Sequence, residues 1–529
     1  MSTTTVSTSR QARRPVVEPV ETRRPKRSPH VHTTVIIGAG FIGLGTAIKL
    51  REAGVDDLVI LERADRVGGT WRDATYPGAA CDIPSQLYSF SFAKNPGWSR
   101  AYSPSAEILA HIEELADRFD LVKDIRFNTE VTKLVFDKAE ARWEVSCGRK
   151  KLYARTVVVA SGPLSDASLP KIAGIEDYQG TKVLSARWDH DYDFAGKNIA
   201  VIGTGASAVQ IIPELVKVAG SVKVFQRTPG WVMPRVDLET PELAKAVFEK
   251  LPLVQQVTRS ALFFAHEAAA TGLVWDTPVT TLIQQAGRLH LRMTVKDRWL
   301  RRQLTPDFRA GCKRMLMSSD YYPALQQDNC KLITWPIAKI TPRGIQTADA
   351  LQHEVDAIVF ATGYDVHLEG PPYPIFGLDG QSLQEEWSGH PEAYKSASAH
   401  GYPNLFFTCG PNSGPGHNSL LVYAQGQIEY AVAGIRAVVE QDLRWIDVKK
   451  DVQDGYNVSM QKRLRSTTWM SGCTSWYLTK DGFNASMYPG FASQYLRQMQ
   501  DFRIRDYDVA SNAARRLWNI PADRTLAAV

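Results

Sequence analysis

The sequence predicts an α/β fold with two Rossmann-like dinucleotide-binding domains and a helical insertion in the second. Three observations predict it. A glycine-rich turn joining a strand to a helix occurs twice, at Gly38 and at Gly203. Each turn is followed, twenty-four positions on, by a residue at the end of a second strand: Glu62 in the first unit, Arg227 in the second. Beyond the second unit, Leu282, Ala286 and Leu289 are apolar at helical spacing.

The first unit opens with the apolar run Thr33 to Ile37, which enters Gly38, Gly40 and Gly43. A helical stretch continues to Ala53, where Gly54 can end it, and Leu58 to Leu61 reads as the next strand. Gly38 permits the tight turn, Gly40 lets the backbone approach a pyrophosphate, and Gly43 lets the helix pack closely on the sheet. Free N–H groups at the helix start attract the phosphates. Glu62 accepts hydrogen bonds from ribose hydroxyls, and its charge disfavours a 2′-phosphate.

The second unit repeats the pattern. Asn198 to Ile202 is the strand, followed by Gly203, Thr204, Gly205, Ala206, Ser207 and Ala208. Val209 to Lys217 continues as helix, and Val222 to Phe225 is the next strand. Arg227 and Thr228 then stand where the first unit has its acid. Arginine with a hydroxyl suits a 2′-phosphate. The first site therefore reads as FAD and the second as NADPH, which implies electron flow from NADPH to a flavin.

A chain of 529 residues exceeds one hydrophobic core. Its net charge is +6. Residues 1–31 hold seven Lys or Arg against Glu18 and Glu21, so the remainder is close to neutral. That distribution gives no broad basic face for nucleic acid. The same segment is rich in Ser, Thr and Pro and is expected to be a disordered basic tail. The most apolar stretch, Ala261 to Trp275, is interrupted by His266 and Glu267 and is too short for a membrane span. The expectation is a cytoplasmic protein without stable membrane insertion, monomeric or homodimeric. The six cysteines form no Cys-x-x-Cys pair, so a metal centre and a dithiol centre are disfavoured and free buried thiols are expected.

Further motifs follow in order: Gly68 to Trp71, Tyr76 to Asp82, Leu87 to Phe92, Tyr178 to Asp189, Phe225 to Pro229, Gly311 to Arg314, Asp320 to Pro323, Ala361 to Tyr364, Gly410 to Asn412, Ser475 to Tyr477 and Pro489 to Phe491. Across roughly residues 33–496 this series resembles the Baeyer–Villiger monooxygenases, relatives of the flavin-containing monooxygenases. The chain departs from that pattern at Leu184, where the family has His, at Tyr178, commonly Phe, and at Ala74, often Asn.

The resemblance implies an activity. NADPH would reduce FAD, O₂ would form a C4a-peroxide, and that peroxide would attack a ketone to give an ester or lactone. By resemblance Arg314 is the charged group beside the peroxide and Asp82 orients it. Gly38, Gly40, Gly43, Glu62, Gly69, Thr70, Trp71, Tyr88 and Val131 would contact FAD. Cys81, Gly203, Thr204, Gly205, Ala206, Ser207, Ala208, Gln210, Arg227, Thr228, Lys313 and Trp476 would contact NADPH. An arginine is suited to its task because it cannot titrate near neutral pH. Two alternatives stand beside this reading: N- or S-oxygenation by the same flavin chemistry, and a flavin-binding protein without catalysis. His417 is expected to be a loop histidine satisfied by backbone.

The expected layout is 1–31 as tail, 32–165 as the first part of an FAD domain, and 166–358 as an NADPH domain with an insertion near 236–330. The FAD domain resumes at 359, includes Ala361 to Gly363, and runs with a C-terminal extension to 529. The insertion is expected to cover the approach to the substrate.

Overall fold

The structure, a computed structural model, describes residues 2–3, 29–366 and 370–511. Most of the expected basic tail and the end of the C-terminal extension lie outside them. The tail boundary moves inward, because the first strand already begins at Val31, which pairs with Tyr153.

Val31–Ile37 lies between two parallel partners, Leu58–Leu61 and Lys150–Val159. The all-apolar runs Val35 to Ile37 and Leu58 to Leu61 are buried, as strands covered on both faces must be. Lys150–Val159 also closes an antiparallel meander with Arg142–Cys147 and Lys133–Asp137. Leu405–Phe407 and Ile375–Phe376 return from late in the chain to complete this first sheet. The first-site helix, Phe41–Glu52, is apolar nearly all round and is buried along most of its length. It packs against the long helix Leu420–Glu440; a Cβ on Gly45 would lie 3.2 Å from Ile428.

The second sheet is fully parallel. Asn198–Ile202 lies between Ser221–Phe225 and Ala357–Phe360, with Cys330–Ile333 and Thr181–Leu184 at the edges. Leu184 ends an edge strand opposite Phe360, a position an apolar side chain fills without needing a polar partner. Ala357–Phe360 thus belongs to the second sheet, and the domain boundary drawn at 358 is displaced. Ala361 continues that strand, its N–H bonded to Ile202 O at 3.0 Å, so Ala361 to Gly363 leaves the second module rather than the first.

The insertion consists of helices Glu242–Lys250, Pro252–Leu273, Pro278–Thr294 and Arg298–Leu304. Its base is closed by Val232–Met233 pairing with Leu316–Met317, and Cys330 already starts a strand of the second sheet. The insertion therefore ends before 330. Thr277 caps the Pro278–Thr294 helix with a capping box, which sets its start. The C-terminal part is folded as far as Ser511: Ala492–Gln500 is helical and Tyr507–Ser511 pairs with Leu443–Val448.

Candidate active site

Each nucleotide turn is built by the same physical device. Gly38 and Gly203 have φ of 108° and 119°, a region open to glycine. Added Cβ atoms would lie 2.6 Å from Ala160 O and 2.4 Å from Ala361 O. The ends of the neighbouring strands thus press on both turns. At Gly43 a Cβ would fall 1.8 Å from Gly38 O, so the first helix requires glycine there. The second turn carries buried Ala208 at the matching place.

Gly40 and Gly205 differ from these. Their φ values are −81° and −83°, which any residue adopts. A Cβ at Gly40 would meet only Gly69, at 3.6 Å, and at Gly205 it would meet nothing within 4 Å. The protein itself does not require glycine at either place. The space left bare lies at the start of a helix with no side-chain cap. First-turn N–H groups facing an open backbone surface fit a pyrophosphate.

Glu62 is buried. Its Oε2 accepts from Ala39 N at 2.8 Å, and its Oε1 accepts from Ala64 N and Arg72. One acceptor position on Oε2 remains for a ribose hydroxyl. A cleft of about 480 Å³ lies near it, lined by residues of both modules, among them Arg63, Arg72, Glu130, Arg187 and Trp188. Trp71 donates from Nε1 to Tyr88 Oη at 3.0 Å, fixing both rings. Gly69 carries a left-sided φ of 54° before the Thr70–Asp73 turn, and Val131 is buried below.

At the second turn Arg227 is exposed, and Thr204 Oγ1 donates to Thr228 O at 3.0 Å. Burial lowers the Lys313 ammonium below its ordinary range, and the nearby charge of Arg227 pushes the same way. Two cations brought close to one another suit an anion between them. Gln210 couples the modules: Tyr76 Oη donates to its Oε1 at 2.9 Å, and its Nε2 donates to Ala80 O at 3.0 Å. A Cβ on Gly78 would lie 2.7 Å from Gln210 O, so this loop sits directly against the second-site helix.

That loop ends at Asp82. Its place is fixed from behind by Cys81 N bonding Ser103 O at 3.0 Å and Ser85 N bonding Ala101 O at 2.8 Å. Arg314 arrives from the insertion base, 232 residues later, and grips Asp82 with two parallel bonds: Nε to Oδ2 at 2.8 Å and Nη2 to Oδ1 at 2.6 Å. Burial pushes the Asp82 carboxyl up, but Arg314, with help from Arg235, holds it below the usual carboxylate range. Asp82 and the bonds to it raise Arg314 above its ordinary value against the cost of burial. The Arg314 side chain keeps 45 % of its surface open and that of Asp82 21 %.

Tyr477 stands near the pair, and sequence reasoning gave it no role. It is buried, and its hydroxyl pKa is pushed up to about 12 by burial, with Arg314 acting the other way. Its neighbour Trp476, the expected NADPH contact, is half exposed and meets the Tyr477 ring edge-on at 4.6 Å. Nothing in the local pattern distinguishes the two aromatics; only the fold turns one inward. Cys81 is buried, and its thiol is pushed well up by burial and by Asp82.

Two expectations are corrected here. Cys312 and Cys473 are disulfide-bonded, with Cα atoms 6.2 Å apart, so they are not free thiols; they are separated by 161 residues, and spacing along the chain cannot reveal such a pair. The bond ties the loop before Lys313 and Arg314 to the loop before Trp476 and Tyr477. His417 bonds a carboxylate, not backbone: its Nε2 lies 3.0 Å from Glu267 Oε1, while its buried Nδ1 has no partner. Glu267 also accepts from Ser493 Oγ, Ser493 N and Ala492 N; against burial, the bond with His417 and then these three hold its pKa down at about 2.

Two nucleotide folds of opposite charge preference, meeting at a guanidinium–carboxylate pair, define a pyridine-nucleotide oxidoreductase with two dinucleotide modules. Residues 35–258 match the family model described as pyridine nucleotide-disulphide oxidoreductase. A Baeyer–Villiger monooxygenase of Pseudomonas aeruginosa is 40 % identical over 92 % of this chain and 92 % of its own length. One from Streptomyces coelicolor is 40 % identical over 91 % and 93 %. Among solved structures, steroid monooxygenase bound to NADP aligns at a TM-score of 0.80 with 27 % identity, covering 91 % of this chain and all of that one. The closed form of cyclohexanone monooxygenase aligns at 0.82 with 26 % identity, covering 92 % and all of that chain. The chain belongs to the Baeyer–Villiger monooxygenase family.

Proposed function

We propose that the chain is an FAD-containing, NADPH- and O₂-dependent monooxygenase that inserts one oxygen atom beside a ketone carbonyl, giving an ester or lactone. The observation that carries this reading is the bidentate Arg314–Asp82 pair, which joins the loop after the first nucleotide unit to the base of the insertion and leaves the guanidinium accessible. Bound FAD would take hydride from NADPH and activate O₂.

The chain's own residues do the rest. Arg314 stays charged at every working pH and stabilises negative charge on an attacking oxygen and on the tetrahedral adduct. Asp82 fixes the plane of the guanidinium through two bonds, so little reorganisation is needed during reaction. Tyr477 keeps its proton near neutral pH and stands beside the pair as a neutral group. Gly38, Gly40, Gly43, Glu62, Gly69, Thr70, Trp71, Tyr88 and Val131 would hold FAD. Gly203 to Ala208, Gln210, Cys81, Arg227, Thr228, Lys313 and Trp476 would hold NADPH, with Arg227 and Lys313 on its 2′-phosphate. The substrate is a small ketone, and the enzyme works in the cytoplasm.

The test is NADPH and O₂ consumption by the flavin-loaded protein with a panel of ketones, sulfides and amines. Ester formation that disappears in Arg314→Ala while flavin reduction persists is the expected result. Sulfoxide without ester would assign the chain to heteroatom oxygenation. Absence of NADPH oxidation with bound flavin would make it a binding protein.

A further inference from the structure

The insertion helices are inverted relative to an ordinary surface helix. On Pro252–Leu273 the buried positions include Gln255, Arg259 and Glu267. The exposed positions are apolar: Leu253 is 75 % exposed and Phe264 66 %, with Val257 between them. Leu253, Val257, Phe264 and Ala268 are spaced i, i+4, i+11 and i+15, so they form one ridge. The outward face of this helix carries no charged residue from Leu253 to Ala268. Its polar side is used inward, where Gln255 bonds Asn95 O, Arg259 bonds Gln86 O and Glu267 binds His417.

The next helix repeats the inversion. The periodicity of Leu282, Ala286 and Leu289 does mark a helix, Pro278–Thr294, but this ridge points to solvent. Thr280, Gln284, Gly287 and Leu291 face the protein instead. Leu282 is 62 % exposed and Met293, one turn beyond Leu289, 75 %. Arg288 and Arg292, four residues apart on this helix, and Lys296, two residues past its end, are all exposed; Arg288 also lies over the Trp231 ring, 5.8 Å from its centroid. Trp299 follows, also exposed, between Arg298 and Arg302. Asp297 is the one acid in this run from Arg288 to Arg302. Its side chain is engaged in capping Leu300 N.

Scattered exposed apolar residues need no explanation, but an exposed apolar ridge on each of two packed helices does. An apolar ridge accompanied by exposed cations on the helix and just past its end, with a tryptophan beyond, has the chemistry of a helix that rests in a bilayer surface. We propose that this face of the insertion binds peripherally to an anionic lipid surface. The apolar ridges enter the headgroup boundary, and Arg288, Arg292 and Lys296 meet the lipid phosphates. No helix among the described residues is long and apolar enough to cross a membrane, so the contact is adsorption rather than spanning. A second copy of the chain would also cover apolar ridges, but the row of cations would meet the same row, or be left idle, on most such dimers. An anionic surface uses both features.

The experiment is co-sedimentation of the full, flavin-loaded protein with vesicles of phosphatidylcholine alone or with about one third phosphatidylglycerol. Binding is expected on the anionic vesicles and to be lost in 1 M salt, where screening shortens to about 3 Å. The triple variant Arg288→Gln, Arg292→Gln, Lys296→Gln should weaken binding on the order of 100-fold. The double variant Leu289→Ser, Met293→Ser should weaken it as well, with unchanged thermal melting and unchanged flavin content. Failure to sediment with anionic vesicles overturns the proposal. So does equal binding by wild type and both variants. A concentration-dependent dimer in analytical ultracentrifugation that the same substitutions abolish would assign the face to a second copy, and would also overturn it.

Discussion

The two nucleotide modules share one scaffold and differ in what they ask of a ligand. In both, the first glycine is demanded by the protein: a positive φ and a strand end that leaves no room for a side chain. In both, the middle glycine is not demanded by the protein at all. They part at the third position, Gly43 against Ala208, and at the residue closing the second strand, Glu62 against Arg227. The first difference concerns how tightly the helix abuts its own turn. The second concerns charge. Fold-determining and ligand-determining residues are thus interleaved within a few positions, and steric demand separates them.

The largest effect should come from breaking the first module's packing. Gly43→Ala places a methyl 1.8 Å from a backbone oxygen, and the turn must open. We expect protein that is insoluble or purifies without flavin, whereas Ala208→Gly in the second module should fold and cost only about 1 kcal/mol, read by thermal melting. Loss of flavin absorbance is the direct readout.

Next comes the junction between the modules. Arg314→Ala should lower ester formation by about 10²–10³-fold, the range seen when a charge-stabilising donor is removed. Stopped-flow reduction by NADPH should change far less. Arg314→Lys should recover little, because a point charge cannot hold Asp82 through two bonds.

Charge preference gives a smaller effect. Arg227→Gln should raise the KM for NADPH by about 10-fold, one charge-assisted contact, while leaving that for NADH nearly unchanged. The ratio of the two KM values is the measure, and an equal rise in both would refute the assignment of the second site.

The pH response should be smaller still near neutrality. The folded Asp82 carboxyl ionises below its ordinary value, so its contribution to stability is complete above about pH 4 and is lost as pH falls through the lower folded value. Wild type and Asp82→Asn should therefore differ in melting temperature at pH 7, and the difference should shrink below about pH 4.

Much of the architecture was legible along the chain. The glycine turns, the strand ends at Glu62 and Arg227, and the helical character of the insertion follow from local periodicity and backbone freedom. The pairing of Arg314 with Asp82 was legible only through resemblance, because 232 residues separate them. Tyr477, the Cys312–Cys473 bond and the Glu267–His417 pair were not legible. Each joins segments far apart in sequence, and no local pattern encodes which neighbour a side chain will meet.

Two nucleotide modules, their order and their opposite charge could be read along the chain, since these depend on residues within one strand–turn–helix–strand unit. Where one module yields to the other is set by long-range pairing, for Ala357–Phe360 joins whichever sheet offers it parallel partners. Long-range packing likewise sets which side of the insertion faces out. Helical spacing tells that one face is apolar; what that face meets depends on the neighbours the rest of the chain brings to it. Here the neighbours took the polar side, because Gln86, Asn95 and His417 offered it partners.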